Sequence, residues 1–438
     1  MANRLKNLWA RLWQSLGFLP GVIVAGFAVL GIALVELDHH VHVEDVSVVF
    51  QGDDSAARTV LQVIAGSLIT VAGLTFSITM VVLQLASSQF SPRILRTFFS
   101  DRLTQTTLGI YVGTFVYALL VLRSVSSASD VPRLSMTLAS LLGIAAVILL
   151  VVFINHVAKM IQVSALTARI AHDSLARTDV LYPQAFGEPG ETASGDELLA
   201  RWRDDPSGTV LPPRPGYVQR VGVTELVEEL GDAVQRLAIL VRPGDFVSVE
   251  MPIAELWPPE AADQHAAALR EAVAIDSERD LAEDVDFGLR QLTDTALRAI
   301  SPAVNDPMTA VTCIGYVRSI LVRLTERATP RAVRELPERG LTVVARQRDY
   351  GEYLDVLLQL NRYVAGDAWV GGELLRALRA CAETARRCGA QERLGDIRGV
   401  AATVAEQVLS DVGNARDRES IEQLAAEVEA LAAGAVLR

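Results

Sequence analysis

Residues 60–91 carry no charged side chain, yet their polar atoms are not scattered. Thr70, Ser77, Gln84 and Ser91 recur every seven positions, beside a parallel row of Gly66, Gly73, Met80 and Ser87, with Ser88 adjoining it. At 100° per residue both rows share one face of a helix, while Ile64, Leu68, Leu74, Ile78 and Leu85 occupy other positions around it. Hydrocarbon cannot satisfy hydroxyls and amides, so this face should meet protein or water. Two chemistries suit it. Oxygens and amide groups at Thr70, Ser77 and Gln84 could line a conduit for a hydrated ion or hold a solute. The same small residues let helices approach closely and hydrogen-bond across a seam, and a seven-residue period marks left-handed helix packing. No ionisable group lies within the stretch, which argues against proton-coupled transport.

A second candidate comes much later in the chain. Phe287-Gly288-Leu289-Arg290-Gln291-Leu292 is followed by Ala299-Ile300-Ser301-Pro302-Ala303-Val304-Asn305-Asp306-Pro307. Arg290, Asp294 and Arg298 stand at i, i+4 and i+8, the spacing of an ion ladder along one helix. Ser301-Pro302 should end that helix; Asn305 or Asp306 can cap the next, with Pro307 at or near its first position. A helix start with free N–H groups beside Arg290 or Arg298 could hold an anion or a nucleotide phosphate. The same residues also make a helix–loop–helix corner that needs no ligand.

His39, His40 and His42 lie among Glu36, Asp38, Glu44 and Asp45, a mixture that suits zinc or nickel, or titration near neutrality. Neighbouring residues seldom converge on one metal, so a solvated loop is favoured and no metal or cofactor is expected. The acidic run over residues 276–286 lacks the spacing and central glycine of a calcium loop and reads as a solvated loop and helix start. His156 should find a hydrogen-bonding neighbour at a membrane interface. Cys313, Cys381 and Cys388 lack the spacing of a zinc site and read as reduced, buried or half-buried thiols.

Four charge-free windows are long enough to hold these residues in a bilayer, whose core takes about 20 helical residues. The predicted spans are about 16–36, 60–86, 106–123 and 135–156. The second window outruns the ~30 Å core, so its last turns should project into water before Pro92 ends them. Arg4, Lys6 and Arg11 precede the first span, Arg93, Arg96 and Arg102 follow the second, and Lys159 and Arg169 lie beyond the fourth. Glu36, Asp38, Asp53 and Asp54 flank the opposite ends. That bias predicts a multi-pass membrane protein with both termini in the cytoplasm, its first span an uncleaved anchor. Residues 161–438 carry 30 Lys+Arg against 44 Asp+Glu. So acidic a half is a poor partner for nucleic acid or for anionic lipid.

The fourth helix is predicted to run on to about residue 177. Residues 182–216 are rich in Pro, Gly and acidic residues and read as a connector. Strands are expected over 216–221, 237–241 and 246–253, with a helix at 224–235 and a turn at Arg242-Pro243-Gly244-Asp245. Helices are expected over 263–275, 286–300, 307–327, 350–364, 372–388, 391–411 and 417–434. The predicted fold is therefore an α-helical integral membrane domain of four transmembrane helices (1–160) followed by a cytoplasmic α+β domain. The latter would comprise a helical extension and connector (161–215), a small β-barrel-like unit (216–258) and a larger helical part (259–438). GxxxxGK, HExxH and GxSxG are all missing, and no lysine follows Lys159, which excludes Schiff-base and Ser–Lys chemistry there. No enzymatic activity is expected.

Residues 71–78 (VAGLTFSI), residues 84–93 (QLASSQFSPR), Arg242-Pro243-Gly244-Asp245, residues 287–292 and the 301–307 corner together resemble a bacterial "predicted membrane protein" family catalogued as a domain of unknown function. The resemblance covers about residues 15–400. It implies four spans and a cytoplasmic domain, and it brings no activity or catalytic residue with it. The expected function is an oligomeric channel or channel-like protein, its second span lining or organising the pore and its cytoplasmic domain assembling or gating it. Its partners would be the lipid bilayer, further copies of the chain, and a small molecule or ion. The alternative is a membrane-anchored sensor or scaffold that binds a metabolite or protein, with the stripe buried inside one protomer. A membrane enzyme acting on lipid or envelope substrates is a third, weaker reading.

Overall fold

The computed structural model describes residues 17–40, 50, 52–89, 101–125, 131–160, 162–184, 195–230, 234–364 and 366–434, without the side chains of 39 and 86–89. The chain forms two compact units, 1–165 and 166–438.

The first unit is built from α1 (Phe18–His40), α2 (Asp54–Gln89), α3 (Arg102–Val125) and α4 (Arg133–Met160). Contacts between helix ends show that they alternate in direction. The Asp38 carboxylate, near the end of α1, accepts from the Leu134 N–H (3.0 Å), the Ser135 N–H (2.9 Å) and the Ser135 hydroxyl (2.6 Å), so it caps α4. Arg58, near the start of α2, donates to the carbonyl of Val125, the last residue of α3. At the opposite end Asp101 caps α3, accepting from the Thr104 N–H (2.9 Å) and hydroxyl (2.7 Å). His156 of α4 places Nε2 3.0 Å from the same Asp101 oxygen. The histidine thus has the neighbour expected of it.

Helix α3 packs against all three others. Small residues at one spacing permit the closest of these approaches. A Cβ on Gly109 would fall 2.9 Å from Ile23 Cδ1 and 3.0 Å from the Pro20 backbone, and one on Gly113 would fall 2.9 Å from Phe27 Cγ. Gly109-x-x-x-Gly113 is the small-residue seam on which membrane helices associate. Further along α3, Tyr117, Ala118 and Val121 pack into a core with Leu61 and Ala65 of α2 and Met136 and Ala139 of α4.

Among the described residues five helices, not four, are long and apolar enough to cross a membrane: α1 to α4 and Pro307–Thr325 in the second unit. The fifth contains Arg318 and Arg323, so a search for charge-free windows passes over it.

In the second unit α5 (Val163–Leu181) begins anew after α4 ends at Met160, where one continuous helix was expected. There follow α6 (Gly195–Trp202), β1 (Gly208–Val210), β2 (Gly216–Val221), α7 (Val223–Glu229), β3 (Arg236–Ile239), β4 (Phe246–Val247), β5 (Ala254–Trp257), α8 (Glu260–Ala272) and β6 (Val273–Asp276). Then come α9 (Val285–Ala299), α10 (Pro307–Thr325), β7 (Val333–Leu336), β8 (Leu341–Ala345), α11 (Tyr350–Asn361), α12 (Ala368–Cys388), α13 (Glu392–Asp411) and α14 (Ala415–Ala432).

Among the described residues the strands make two sheets rather than a small barrel: a five-stranded one in the order β1-β5-β3-β8-β7 and a three-stranded one in the order β4-β2-β6. Beyond the expected 216–258 unit, the larger sheet draws β1 from the connector and β7 and β8 from the gap between two predicted helices. Among the described strands only β3 and β8 pair in parallel, from Arg236 opposite Thr342 to Ile239 opposite Ala345. The run Leu341-Thr342-Val343-Val344-Ala345 is almost wholly buried, as a strand between two neighbours should be. Leu237, Ile239, Ile253, Leu256, Leu269 and Val343 form the centre of this core.

The helices that follow have clear physical ends. Asp284, Asp306, Asp367 and Asn414 each accept a first-turn N–H from α9, α10, α12 and α14 respectively. Gly389, at φ +81°, closes α12 in the left-handed conformation that favours glycine. Arg393, 4% exposed, donates to the carbonyls of Leu324 (2.7 Å), Thr325 (2.9 Å) and Arg327 (2.8 Å), satisfying the end of α10. Its guanidinium also lies 4.7 Å from the Tyr350 ring centre.

Candidate functional site

The repeating polar face of α2 is turned away from its own bundle. Leu61, Ala65, Leu68, Ala72 and Thr75 are buried against the other helices, whereas Gly66, Thr70, Gly73, Ser77 and Gln84 are all exposed. A Cβ on Gly66 or Gly73 would meet nothing within 4 Å. Thr70 returns its hydroxyl to the Gly66 carbonyl at 2.9 Å. Ile69, Phe76, Met80 and Val81, also exposed, flank the stripe on its two sides. At 100° per residue the stripe sits near the middle of this outward arc, opposite the packed face. A seam buried within one protomer, the arrangement expected for a sensor or scaffold, is therefore not what α2 makes. Bundle packing uses the other side of the helix, where Leu and Ala offer more area. The Ser88 side chain and Ser91 lie outside the described residues.

His40 is exposed and places Nδ1 2.9 Å from the Glu36 carbonyl, one turn back. His42 and the His39 side chain lie outside the described residues. Among those described, no three His, Cys, Asp or Glu side chains converge as metal ligands would.

At the 301–307 corner, the start of α10 is filled by the chain's own carboxylate. Asp306 accepts from the Thr309 N–H (3.1 Å) and hydroxyl (2.6 Å), and these bonds hold its carboxyl below the ordinary range. An incoming anion would meet a negative charge there, which favours the structural corner over an anion site at this helix start. Asn305 is exposed at φ +51°, a left-handed conformation that asparagine tolerates. Arg298 is exposed and Asp294 half-buried.

Arg290 belongs to a different cluster. Its Nε reaches Asp286, one turn earlier, at 2.7 Å, and its Nη1 approaches Gln359 of α11. Asp286 also receives Arg279 at 2.8 Å and lies 3.7 Å from Arg348. Arg279 pairs in addition with Asp284, the cap of α9. Glu352 takes Arg242 at 2.7 Å and lies 3.7 Å from Arg348, and Arg242 turns back to Asp245 at 3.4 Å. Four arginines and four carboxylates therefore tie together the start of α9, the turn after β3 and the segment from β8 into α11.

Burial raises the Asp286 carboxyl, but Arg348, Arg290 and Arg279 outweigh it and hold the group below its ordinary range. Asp284 goes the other way. Burial, with Asp286 beside it, pushes it up to about 6 despite Arg279. Reading residues 276–286 as a solvated loop overlooks this cluster, in which Asp284 and Asp286 are buried. The available signals were Asp286 four residues before Arg290, and Arg346 and Arg348 directly after an apolar β-branched run.

Comparison with known proteins settles the family. The family described as "Predicted membrane protein (DUF2254)" matches residues 13–380. The chain belongs to this family. An uncharacterized protein of Mycobacterium bovis and one of Mycobacterium tuberculosis H37Rv are each 33% identical over 362 residues, 79% of this chain and 68% of the relative. A protein of a second M. tuberculosis strain is 31% identical over 361 residues. No solved structure matches. The DUF2254 match takes in α1 to α4, both sheets and the arginine–carboxylate cluster, and it ends before α13 and α14.

Proposed function

We propose that this DUF2254 protein is an oligomeric, channel-like protein of the bacterial inner membrane, with α1 to α4 in the bilayer and both termini in the cytoplasm. In this reading α2 brings its stripe against the same helix of neighbouring copies, around a path wet enough for Thr70, Ser77 and Gln84. The second unit lies in the cytoplasm and assembles or gates the pore. Helix α10 stays out of the bilayer, because it packs among helices of the second unit and Arg393 of α13 holds its C-terminal end there. One observation carries the proposal: the most polar face of a long apolar helix points away from every other described helix of its bundle. Lipid would leave the Ser77 hydroxyl and the Gln84 amide poorly satisfied, whereas another copy or water would serve them.

Reconstitution of the full chain into planar bilayers tests this. Conductance under voltage or tension is expected, and Gln84→Leu should change its unitary size or selectivity. A silent bilayer under both stimuli would overturn the channel reading. Conductance that Gln84→Leu leaves untouched would remove α2 from the pore.

A further inference from the structure

The second unit holds a cavity of about 230 Å³ that the membrane reading does not use. It opens beyond the C-terminal ends of β3 and β8, the one parallel pair in the larger sheet. Leaving β3, the chain supplies Val241, Arg242 and Pro243; leaving β8, it supplies Ala345, Arg346, Gln347 and Arg348. Open parallel sheets receive ligands in the crevice outside the carboxyl ends of their strands; this sheet is otherwise antiparallel, but the loops leaving β3 and β8 line a crevice in the same position. Tyr182, directly after α5, and Tyr353 of α11 close one side, their hydroxyls hydrogen-bonded to each other.

Charge says what would enter. Four arginines line the cavity, Arg242, Arg334, Arg346 and Arg348, against the carboxylates of Glu283 and Asp284. Arg242 and Arg348 are held by Glu352 and its neighbours. Arg334 and Arg346 are exposed and form no ion pair among the described residues. Within a second unit that is strongly acidic as a whole, this is a local positive surplus on a concave surface. Burial also raises Glu283 and Asp284, so both lose charge more readily than ordinary carboxylates and oppose an anion less.

From the cavity, its place at the strand ends and the two uncommitted guanidinium groups, we infer that this is a binding site for a compact phosphate-bearing ligand. Arg346 and Arg334 grip the phosphate oxygens as bidentate forks. Arg242 and Arg348, fixed by the carboxylates behind them, supply a prepaired positive wall, and Val221, Val223 and Val241 give the apolar side. The volume lies below the usual range of roughly 300–1,000 Å³ for ligand pockets. It suits a small phosphorylated compound or a single headgroup rather than a dinucleotide.

Isothermal titration of the full-length protein in detergent tests the site, with inorganic pyrophosphate standing for a free metabolite and glycerol 1-phosphate for a lipid headgroup. Saturable binding of at least one is expected, and the tighter of the two identifies the source. Arg346→Ala and Arg334→Ala should each weaken binding tenfold or more, and neither removes an ion pair that the fold uses. Arg416→Ala, on the exposed start of α14, should leave binding unchanged. Absence of binding by both probes would overturn the site, as would equal weakening by Arg346→Ala and Arg416→Ala.

Discussion

Asp286 shows how one side chain can be legible in kind and misread in role. It was visible as an acidic residue at a helix start, where a carboxylate suits the positive end of the helix. Its burial was not visible, because Arg279, Arg290 and Arg348 reach it from three segments. At 1% exposure, its removal would strand those guanidinium groups around an uncompensated site. Asp286→Ala should therefore cost roughly 3–5 kcal/mol, read as a fall in the denaturant midpoint of the purified protein. Asp284 offers a pH signature. With its folded pKa near 6, above the ordinary 3.8, the folded state keeps a proton that the unfolded chain releases. Its contribution to stability is full below about pH 4 and is lost as pH rises to about 6. Asp284→Asn keeps a capping oxygen but cannot ionise. It should gain on the native protein by about 1 kcal/mol per pH unit across that window, and melting temperatures at pH 4.5 and 6.5 check the sign. The helix start at Asn305-Asp306-Pro307 was legible from local chemistry alone, whereas the choice of Asp306 over Asn305 as the cap came from the structure.

Elements were legible where their period was long. The helices α8 to α14 fall within a few residues of the predicted spans, because a dozen or more residues of 3.6-residue periodicity leave little choice. Short apolar runs were not. Residues 341–345 fit a buried strand or a helix fragment equally well, and β8 is decided by β3, roughly a hundred residues earlier in the chain. The break between α4 and α5 was hidden for a related reason: neither proline nor glycine marks residues 161–162. Among the membrane helices the seam between α1 and α3 gives a sharp expectation. A side chain on Gly113 would strike Phe27, so Gly113→Leu should destabilise the bundle by at least about 1–3 kcal/mol, the usual cost of overpacking. Gly73→Leu, whose Cβ meets nothing in the protomer, should leave the isolated protomer's stability unchanged. Thermal unfolding of the two variants in detergent, at concentrations that keep the chain monomeric, separates them.

For the whole molecule, the sequence announces a membrane protein and its family, and the structure divides it into two units and turns the polar face of α2 outward. Composition could not reveal that orientation, because a seven-residue stripe looks the same whether it packs inside a bundle or between copies. The proposal of an oligomer follows from where the stripe points. Disulfide cross-linking in native membranes tests it most directly, in a background where Cys313, Cys381 and Cys388 are replaced by serine. Ser77→Cys should form covalent dimers under mild oxidation, while Val147→Cys, exposed on α4 and outside the stripe, should remain monomeric. Equal cross-linking at the two positions, or none at Ser77→Cys, would contradict an assembly built on α2.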